Sequence, residues 1–255
     1  MTVAGAEPAD HSSSAAPAVA GRSNLALRVV SSLILAPIAL GLTYLGGWPF
    51  AIFWTVAAAI VLIEWMMLVI GRNPLALFPW SGPQWLWALC GVVYAAALLA
   101  ATLILRADVG LGFAAIVFVF AVVWGSDILA YFVGRAVGGP KLMPRVSPSK
   151  TWSGAVGGTL ASVVFGVLVA KLAGLENLSM VALVALVLSV ASQAGDLLES
   201  ALKRHFHVKD SSALLPGHGG LMDRLDGYLT AVVVAALIGL ARGGFDAPAQ
   251  GLLVW

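Results

Sequence analysis

Seven apolar runs, each about 20 residues long, dominate this sequence of 255 residues. They cover residues 28–46, 49–70, 85–105, 109–134, 152–172, 178–198 and 220–241. A helix needs roughly 20 apolar residues to cross the hydrocarbon core of a bilayer, so each run is long enough for one span. The chain is also 60% hydrophobic and only 10% charged, whereas soluble domains carry about 25% charged residues. The pattern predicts an all-α polytopic integral membrane protein and excludes an ordinary soluble globule.

The number of spans and the limits of the membrane domain follow from the same runs. The run 109–134 is longer than one span requires and contains Gly125, so it leaves open a division into two elements and a total of eight. The first 24 residues are rich in Ala, Ser and Pro, and such a composition predicts a disordered tail. Residues 25–255 are then a single membrane-embedded domain.

The distribution of basic residues predicts the orientation, because Lys and Arg favour the cytoplasmic side of a membrane. With seven spans and a cytoplasmic N-terminus, 11 of the 14 basic residues lie in the cytoplasm. These are Arg22, Arg28, Arg72, Arg135, Lys141, Arg145, Lys150, Lys203, Arg204, Lys209 and Arg224. The long polar loops 135–151 and 199–219 would then face the cytoplasm. No basic stripe runs along the chain, which argues against nucleic-acid binding, and the single Cys90 excludes an intrachain disulfide.

Four acidic residues lie within or at the ends of the apolar runs: Glu64, Asp127, Asp196 and Asp223. A carboxylate near the bilayer centre costs about 2.5–3.5 kcal/mol, so such residues usually face a cavity and have a partner. On the predicted topology all four could line one polar pocket that opens to the cytoplasm. The alternative, an isolated packing or snorkelling residue, stays most open for Glu64.

The last two runs carry the densest pattern of charged residues. Asp196, Glu199, Ser200 and Lys203 follow i, i+3, i+4, i+7 spacing and share one helical face, while Asp223 and Asp226 are spaced i, i+3. Carboxylates from two helices suit Mg²⁺, which also takes water and substrate phosphate as ligands. Zinc is disfavoured, because His205, His207 and His218 have no recognised zinc spacing and no thiolate partner.

A glycine-rich segment, Pro216–Gly220, precedes Asp223. Glycines before a helix N-terminus allow backbone N–H groups to approach an anion. We therefore expect Gly219 and Gly220 to lie near a phosphate, with His218 as a donor to it. The neighbouring basic residues Lys203, Arg204, Lys209 and Arg224 are candidates for holding phosphate oxygens.

The stretch of 27 residues from Ser200 to Asp226 resembles the signature of the phosphatidate cytidylyltransferase family, also called CDP-diacylglycerol synthases. Three further stretches, Asp127–Arg135, Ser147–Thr151 and Gly195–Ser200, are similar to other parts of that family. The resemblance covers about residues 125–230. Ser149 and Ser153 depart from it, since many members have Lys and Glu at these two positions.

The resemblance implies a reaction in which CTP and phosphatidate give CDP-diacylglycerol and pyrophosphate. It implies a Mg²⁺-dependent site in a polar funnel open to the cytoplasm and the lipid leaflet, with K⁺ as a further cation. Some members of the family have eight or nine spans, so the predicted total becomes seven to nine. A homodimer is a further expectation from this family, and the predicted location is the bacterial inner membrane. A transporter or channel, a CTP-dependent lipid kinase and a cytidylyltransferase for another lipid phosphate remain the alternatives.

The roles of individual residues follow from the resemblance and from their charges. Asp196 and Asp223 are the principal predicted Mg²⁺ ligands, with Asp127, Glu199 and Asp226 as additional candidates. Lys203 and Arg224 join Asp196 and Asp223 as predicted catalytic residues. The predicted substrate-binding residues are Ser147, Lys150, Thr151, Lys203, Arg204, Lys209, His218, Gly219 and Gly220.

Overall fold

The structure, a computed structural model, describes residues 34–71, 82–212 and 219–255. Its helices are α1 (Ile34–Leu45), α2 (Gly47–Ile70), α3 (Gly82–Ala107), α4 (Gly112–Val137), α5 (Trp152–Leu172), α6 (Leu178–His205), α7 (Met222–Gly243) and α8 (Pro248–Leu253). Two short strands, β1 (Lys141–Met143) and β2 (Ser147–Thr151), lie between α4 and α5. Six described helices, α2 to α7, are long and apolar enough to cross a membrane. The predicted class, a helical polytopic membrane protein, is confirmed.

Helices α2 to α7 correspond to the last six predicted runs. The possible division of the run 109–134 is wrong, because α4 continues without a break through Gly125. The described part of the first run is α1, and residues 28–33 lie outside the described residues, as does the predicted tail. The total of seven to nine spans stays a prediction.

The polar loop after α4 contains a β-hairpin that the sequence analysis did not predict. Strands β1 and β2 pair antiparallel, with Lys141 opposite Thr151 and Met143 opposite Ser147. Gly138 and Gly139 follow α4 with φ of 67° and 100°, a region that favours glycine because it has no Cβ. Thr151 then caps the N-terminus of α5, since its hydroxyl accepts a hydrogen bond from the N–H of Gly154.

The core of the bundle lies around α4 and is closed by aromatic side chains from three helices. Tyr228 of α7 stacks on Trp54 of α2 with ring centroids 4.9 Å apart. The ring centroid of Phe120 on α4 lies 5.1 Å from that of Tyr228. The hydroxyl of the buried Tyr228 lies 3.3 Å from that of Thr102 on α3. Helix α7 is thereby held against α2, α3 and α4.

Helices α4 and α5 pack closely through small residues. A Cβ at Gly158 would lie 2.7 Å from the carbonyl oxygen of Ser126, and one at Gly154 would lie 2.7 Å from that of Ala130. Both contacts are too short for any residue but glycine, as at other membrane-helix interfaces. The glycines that open α5 therefore serve helix packing, and they fix the hairpin beside the end of α4.

One end of the bundle carries most of the described positive charge. This loop end is formed by the C-terminal ends of α2, α4 and α6, the N-terminal ends of α3, α5 and α7, and the hairpin. Of the 11 described Lys and Arg residues, eight lie there: Arg135, Lys141, Arg145, Lys150, Lys203, Arg204, Lys209 and Arg224. The opposite end holds Arg106, Lys171 and Arg242. All the predicted site residues that the structure describes belong to the half of the bundle next to the loop end.

Candidate active site

Three carboxylates from α6 and α7 converge near the loop end. One oxygen each from Asp196, Glu199 and Asp226 lies within 4.8 Å of the others, and we call this group the acidic cluster. The two helices approach closely here because glycines face the opposite helix. A Cβ at Gly227 would lie 2.6 Å from the hydroxyl oxygen of Ser192, and one at Gly195 would lie 2.8 Å from the carbonyl oxygen of Asp226.

The acidic cluster has the donor set that a hard divalent cation requires. All three residues offer carboxylate oxygens, the ligands that Mg²⁺ prefers. Glu199 is only 4% exposed, and its Oε1 shares the ammonium group of Lys203 with Asp223, at a distance of 3.3 Å. A buried carboxylate oxygen is costly unless a donor or a cation satisfies it. The cluster therefore fits a Mg²⁺ ion.

Two lysines neutralise carboxylates at this site. Lys150 of β2 forms an ion pair with Asp196. Lys203 of α6 lies between two acids, with its Nζ 3.3 Å from Glu199 Oε1 and 3.0 Å from Asp223 Oδ1. These contacts join the hairpin to α6 and α6 to α7. They also place two ammonium groups at the edge of the acidic cluster.

Asp223 lies beside the acidic cluster and has a different set of partners. Besides Lys203, its carboxylate accepts hydrogen bonds from the N–H of Gly220 at 2.9 Å and from that of Ser211 at 3.2 Å. The carboxylates that converge with Asp196 are thus those of Glu199 and Asp226. The predicted sharing of one cation by Asp196 and Asp223 stays a prediction.

The Gly219–Gly220 pair approaches carboxylates of the protein itself. Gly219 has a φ of 78°, and a Cβ there would lie 2.6 Å from Asp223 Oδ2. The N–H of Gly220, which we expected to face an anion, donates to Asp223 instead. His218, the third predicted ligand of this segment, lies outside the described residues.

The other predicted substrate-binding residues lie at the loop end and differ in their exposure. Ser147 and Thr151 are buried in β2, where the Thr151 hydroxyl caps α5. Arg204 donates to the carbonyl oxygen of Val146 at 3.4 Å, which ties the hairpin turn to the end of α6. Lys209 and Arg224 are exposed at the loop end.

Asp127 of α4 borders the same region from a third helix. Its side chain is exposed, and its charge interacts with those of Asp196, Asp226, Lys150 and Arg224. The structure thus brings together most of the charged residues that the sequence analysis selected, from α4, β2, α6 and α7.

Glu64 of α2 is the site residue whose role the sequence analysis left open. It is fully buried and accepts hydrogen bonds from the hydroxyl of Ser212 at 2.6 Å and from the N–H groups of Leu221 and Met222 at 2.9 and 2.7 Å. The signal in the sequence was a single acidic residue in an apolar run. Its backbone partners carry no signal of their own, because a backbone N–H is present at nearly every residue.

Comparisons with known proteins agree on one family. A sequence model described as "Cytidylyltransferase family" matches residues 83–241. A phosphatidate cytidylyltransferase of Brucella suis is 40% identical over 262 residues, which covers 89% of this chain and 97% of the relative. One of Brucella abortus is 41% identical over 253 residues, covering 85% and 94%. One of Bacillus subtilis is 45% identical over 119 residues, covering 46% and 44%. The matched residues 83–241 include the acidic cluster and both lysines, whereas Glu64 precedes them.

Proposed function

The chain belongs to the cytidylyltransferase family, and on this premise we propose that it transfers the cytidylyl group of CTP to phosphatidate. The products are CDP-diacylglycerol and pyrophosphate. The main support for this function is the 40% identity to a phosphatidate cytidylyltransferase over 89% of the chain. The acidic cluster and its lysines supply the chemistry that such a reaction needs.

In this reaction a phosphate oxygen of phosphatidate attacks the α-phosphorus of CTP, and the bond to the β-phosphate breaks. The attacking oxygen is already anionic at neutral pH, so the reaction requires no strong general base. The protein must instead align two anionic substrates and neutralise the charge that develops on pyrophosphate. Basic side chains in fixed positions, together with a bound metal ion, are sufficient for both tasks.

We propose that Asp196, Glu199 and Asp226 hold a Mg²⁺ ion, with Asp223 beside them and Asp127 as a further candidate. The support is the approach of three carboxylate oxygens within 4.8 Å and the burial of Glu199 among them. When bound, the ion supplies positive charge against the triphosphate. A companion K⁺ and direct binding by Asp223 are proposals from the family resemblance.

The basic residues of the site are proposed to bind phosphate oxygens. Lys150 and Lys203 already lie at the edge of the acidic cluster, each paired with a carboxylate. Arg224 is exposed on the first turn of α7 and, like Arg204 and Lys209, lies at the loop end. An ammonium group is a compact charge that can exchange one anionic partner for another. We therefore expect these two lysines to bind the triphosphate of CTP and the phosphate group of the lipid.

We propose that the protein lies in the bacterial inner membrane with its loop end in the cytoplasm. Support comes from the eight basic residues at that end against three at the other, since cytoplasmic segments carry the excess of Lys and Arg. The partly exposed Asp196 and exposed Asp127 would then line a polar funnel that CTP enters from the cytoplasm. The homodimer rests on the resemblance alone.

The function is tested with purified protein in micelles that contain phosphatidate and Mg²⁺. CTP labelled at the α-phosphate should transfer its label to lipid, whereas CTP labelled at the γ-phosphate should release it as pyrophosphate. Lipid labelled from the γ-position would instead identify a kinase. A folded protein that labels no lipid from either position would contradict the proposal.

Asp226→Asn tests the acidic cluster. The substitution keeps the size of the side chain but removes a charge, so we expect the protein to remain folded while transfer falls by orders of magnitude. Asp246→Asn is the matched control, because Asp246 is exposed at the opposite end of the bundle. Binding of Mn²⁺, followed by electron paramagnetic resonance without substrates, should weaken in Asp226→Asn and not in the control. Unchanged transfer and unchanged Mn²⁺ binding would remove Asp226 from the site.

A further inference from the structure

We propose that Glu64 is a positioning residue of the active site, which holds the backbone leading into α7 and thereby orients Asp223 and Asp226. The inference rests on the proposed function and extends the site beyond residues 83–241, the segment that the family model matches. Glu64 comes from α2, and nothing in the predicted chemistry of the site required it.

The hydrogen bonds of Glu64 join two segments that are separated along the chain. Its Oε1 accepts from Ser212 and from the N–H of Leu221, and its Oε2 accepts from the hydroxyl of Ser211 at 3.4 Å and from the N–H of Met222. Each carboxylate oxygen thus has one donor before residues 213–218 and one donor after them. With no exposed surface, the side chain has a fixed position from which it can hold both segments.

Asp223 also accepts hydrogen bonds from both of these segments. It accepts from the N–H of Ser211 before residues 213–218 and from the N–H of Gly220 after them. Ser211 therefore donates its hydroxyl to Glu64 and its N–H to Asp223. A displacement of Ser211 or Gly220 changes the position of the Asp223 carboxylate, which in turn contacts Lys203. Glu64 is connected to the charged site through this short path.

Glycine at position 220 fits this arrangement. A Cβ on Gly220 would lie 2.7 Å from Glu64 Oε2 and 2.8 Å from Oε1, and it would also overlap the hydroxyl of Ser211. The space that a side chain would fill is occupied by the Glu64 carboxylate. The close approach of Glu64 therefore accounts for the glycine, which the sequence analysis had assigned to an anion.

Glu64 also takes the place of a local helix cap. Leu221, the residue that precedes α7, makes no capping hydrogen bond with its side chain. The first N–H groups of a helix nevertheless require acceptors. A carboxylate at this position is favoured by the positive end of the helix dipole. Capping by itself would affect stability alone, whereas positioning would also affect the turnover of molecules that are folded.

Asp108 provides a matched control at the opposite end of the bundle. It is 3% exposed and accepts four backbone hydrogen bonds, from Gly110, Leu111, Ala249 and Gln250, at 2.9–3.0 Å. Like Glu64 it joins two separate segments, the start of α4 and α8. It lies far from the acidic cluster along the bundle, so its loss should leave the site intact.

The experiment compares Glu64→Gln and Asp108→Asn in the full-length protein. An amide keeps the size of the side chain but directs its NH₂ group towards N–H and O–H donors, so both variants should lower the melting temperature in detergent. Only Glu64→Gln should also lower kcat per folded molecule, by about 10–100-fold, the range for residues that orient metal ligands. The change in kcat should exceed the change in KM for CTP.

Hydrogen exchange provides a readout that does not depend on activity. The amides of Leu221 and Met222 should exchange faster in Glu64→Gln than in the wild type, and they should be unchanged in Asp108→Asn. Should Glu64→Gln fail to fold, Ser212→Ala removes the 2.6 Å hydrogen bond to Glu64 and should lower kcat by a smaller factor.

Wild-type kcat in folded Glu64→Gln, or in Ser212→Ala when the first variant does not fold, overturns the positioning role. An equal loss of kcat in Asp108→Asn also overturns it, because the loss would then report general loosening of the fold. A wild-type protein that transfers no cytidylyl group contradicts the proposed function itself. An active wild type with an equally active Glu64→Gln contradicts only the role of Glu64.

Discussion

Gly220 is a residue at which one methyl group should disturb the active site. Because its Cβ would enter the space of the Glu64 carboxylate and of the Ser211 hydroxyl, Gly220→Ala has to displace one of them. Overpacking of this kind typically costs about 1–3 kcal/mol of the free energy of unfolding. We expect lower thermal stability and lower turnover, measured by melting in detergent and by transfer of α-labelled CTP.

Gly41→Ala is the control for this substitution. Gly41 lies in α1, and among the residues that the structure describes no atom outside the local helix backbone would lie within 4 Å of an added Cβ, so alanine should fit and favour the helix. If Gly220→Ala matched Gly41→Ala in melting temperature and turnover, the close approach of Glu64 to Gly220 would contribute neither to stability nor to activity.

The residue types of the site could be predicted from the sequence, but their pairing could not. The spacing of Asp223 and Asp226 places both on one face of α7, and that of Asp196 and Glu199 does the same on α6. Spacing does not give the axial shift between the two helices. That shift depends on the contacts of Gly195 and Gly227, and it brings Asp226 rather than Asp223 to Asp196.

Among the secondary-structure elements, the membrane helices were predicted well and the hairpin was missed. A run of about 20 apolar residues is a strong signal, because a span has no other stable structure in a bilayer. Strands β1 and β2 contain three and five residues, and they lie at the polar loop end without a regular alternation of apolar side chains. Their pairing depends on the positions of α4 and α5.

The interface of α4 and α5 gives a prediction about helix packing. Gly158→Leu should separate the two helices, because the carbonyl oxygen of Ser126 and the Cβ of Ala130 lie within 3.0 Å of an added Cβ. We expect a lower melting temperature and a disturbed hairpin, and therefore a lower turnover. Leu160→Ala, on the lipid-facing side of α5 where Leu160 is 63% exposed, should change neither quantity. Equal melting temperatures for the two variants would contradict this packing role.

The bundle as a unit is polarised, with most described basic residues at the loop end. This asymmetry was predicted from the sequence, because the order of the apolar runs alone assigns each loop to one side. The total number of spans was harder to predict, since it depends on residues 28–33 as well as on α1. The relative positions of the loop-end segments depend on tertiary contacts such as that of Arg204 with Val146.

The proposed orientation is tested by labelling single cysteines in intact bacterial cells. Cys90 is the only native cysteine and is first replaced by serine. In this background Arg145→Cys, in the hairpin turn, should be protected from a membrane-impermeant maleimide until the cells are opened. Asp246→Cys, between α7 and α8, should react in intact cells, provided that the outer membrane is permeabilised. The reverse pattern, or equal labelling of both sites, would contradict a cytoplasmic loop end.

The contact between Glu64 and the start of α7 indicates that the smallest fragment able to fold by itself must include α2. A polypeptide that began at residue 83 would keep all the residues of the family match and would lose an acceptor for the amides of Leu221 and Met222. It would also lose Trp54, which stacks on Tyr228. Truncations, chimeras and split versions of this chain should therefore be cut before α2 rather than at the boundary of the recognisable family segment.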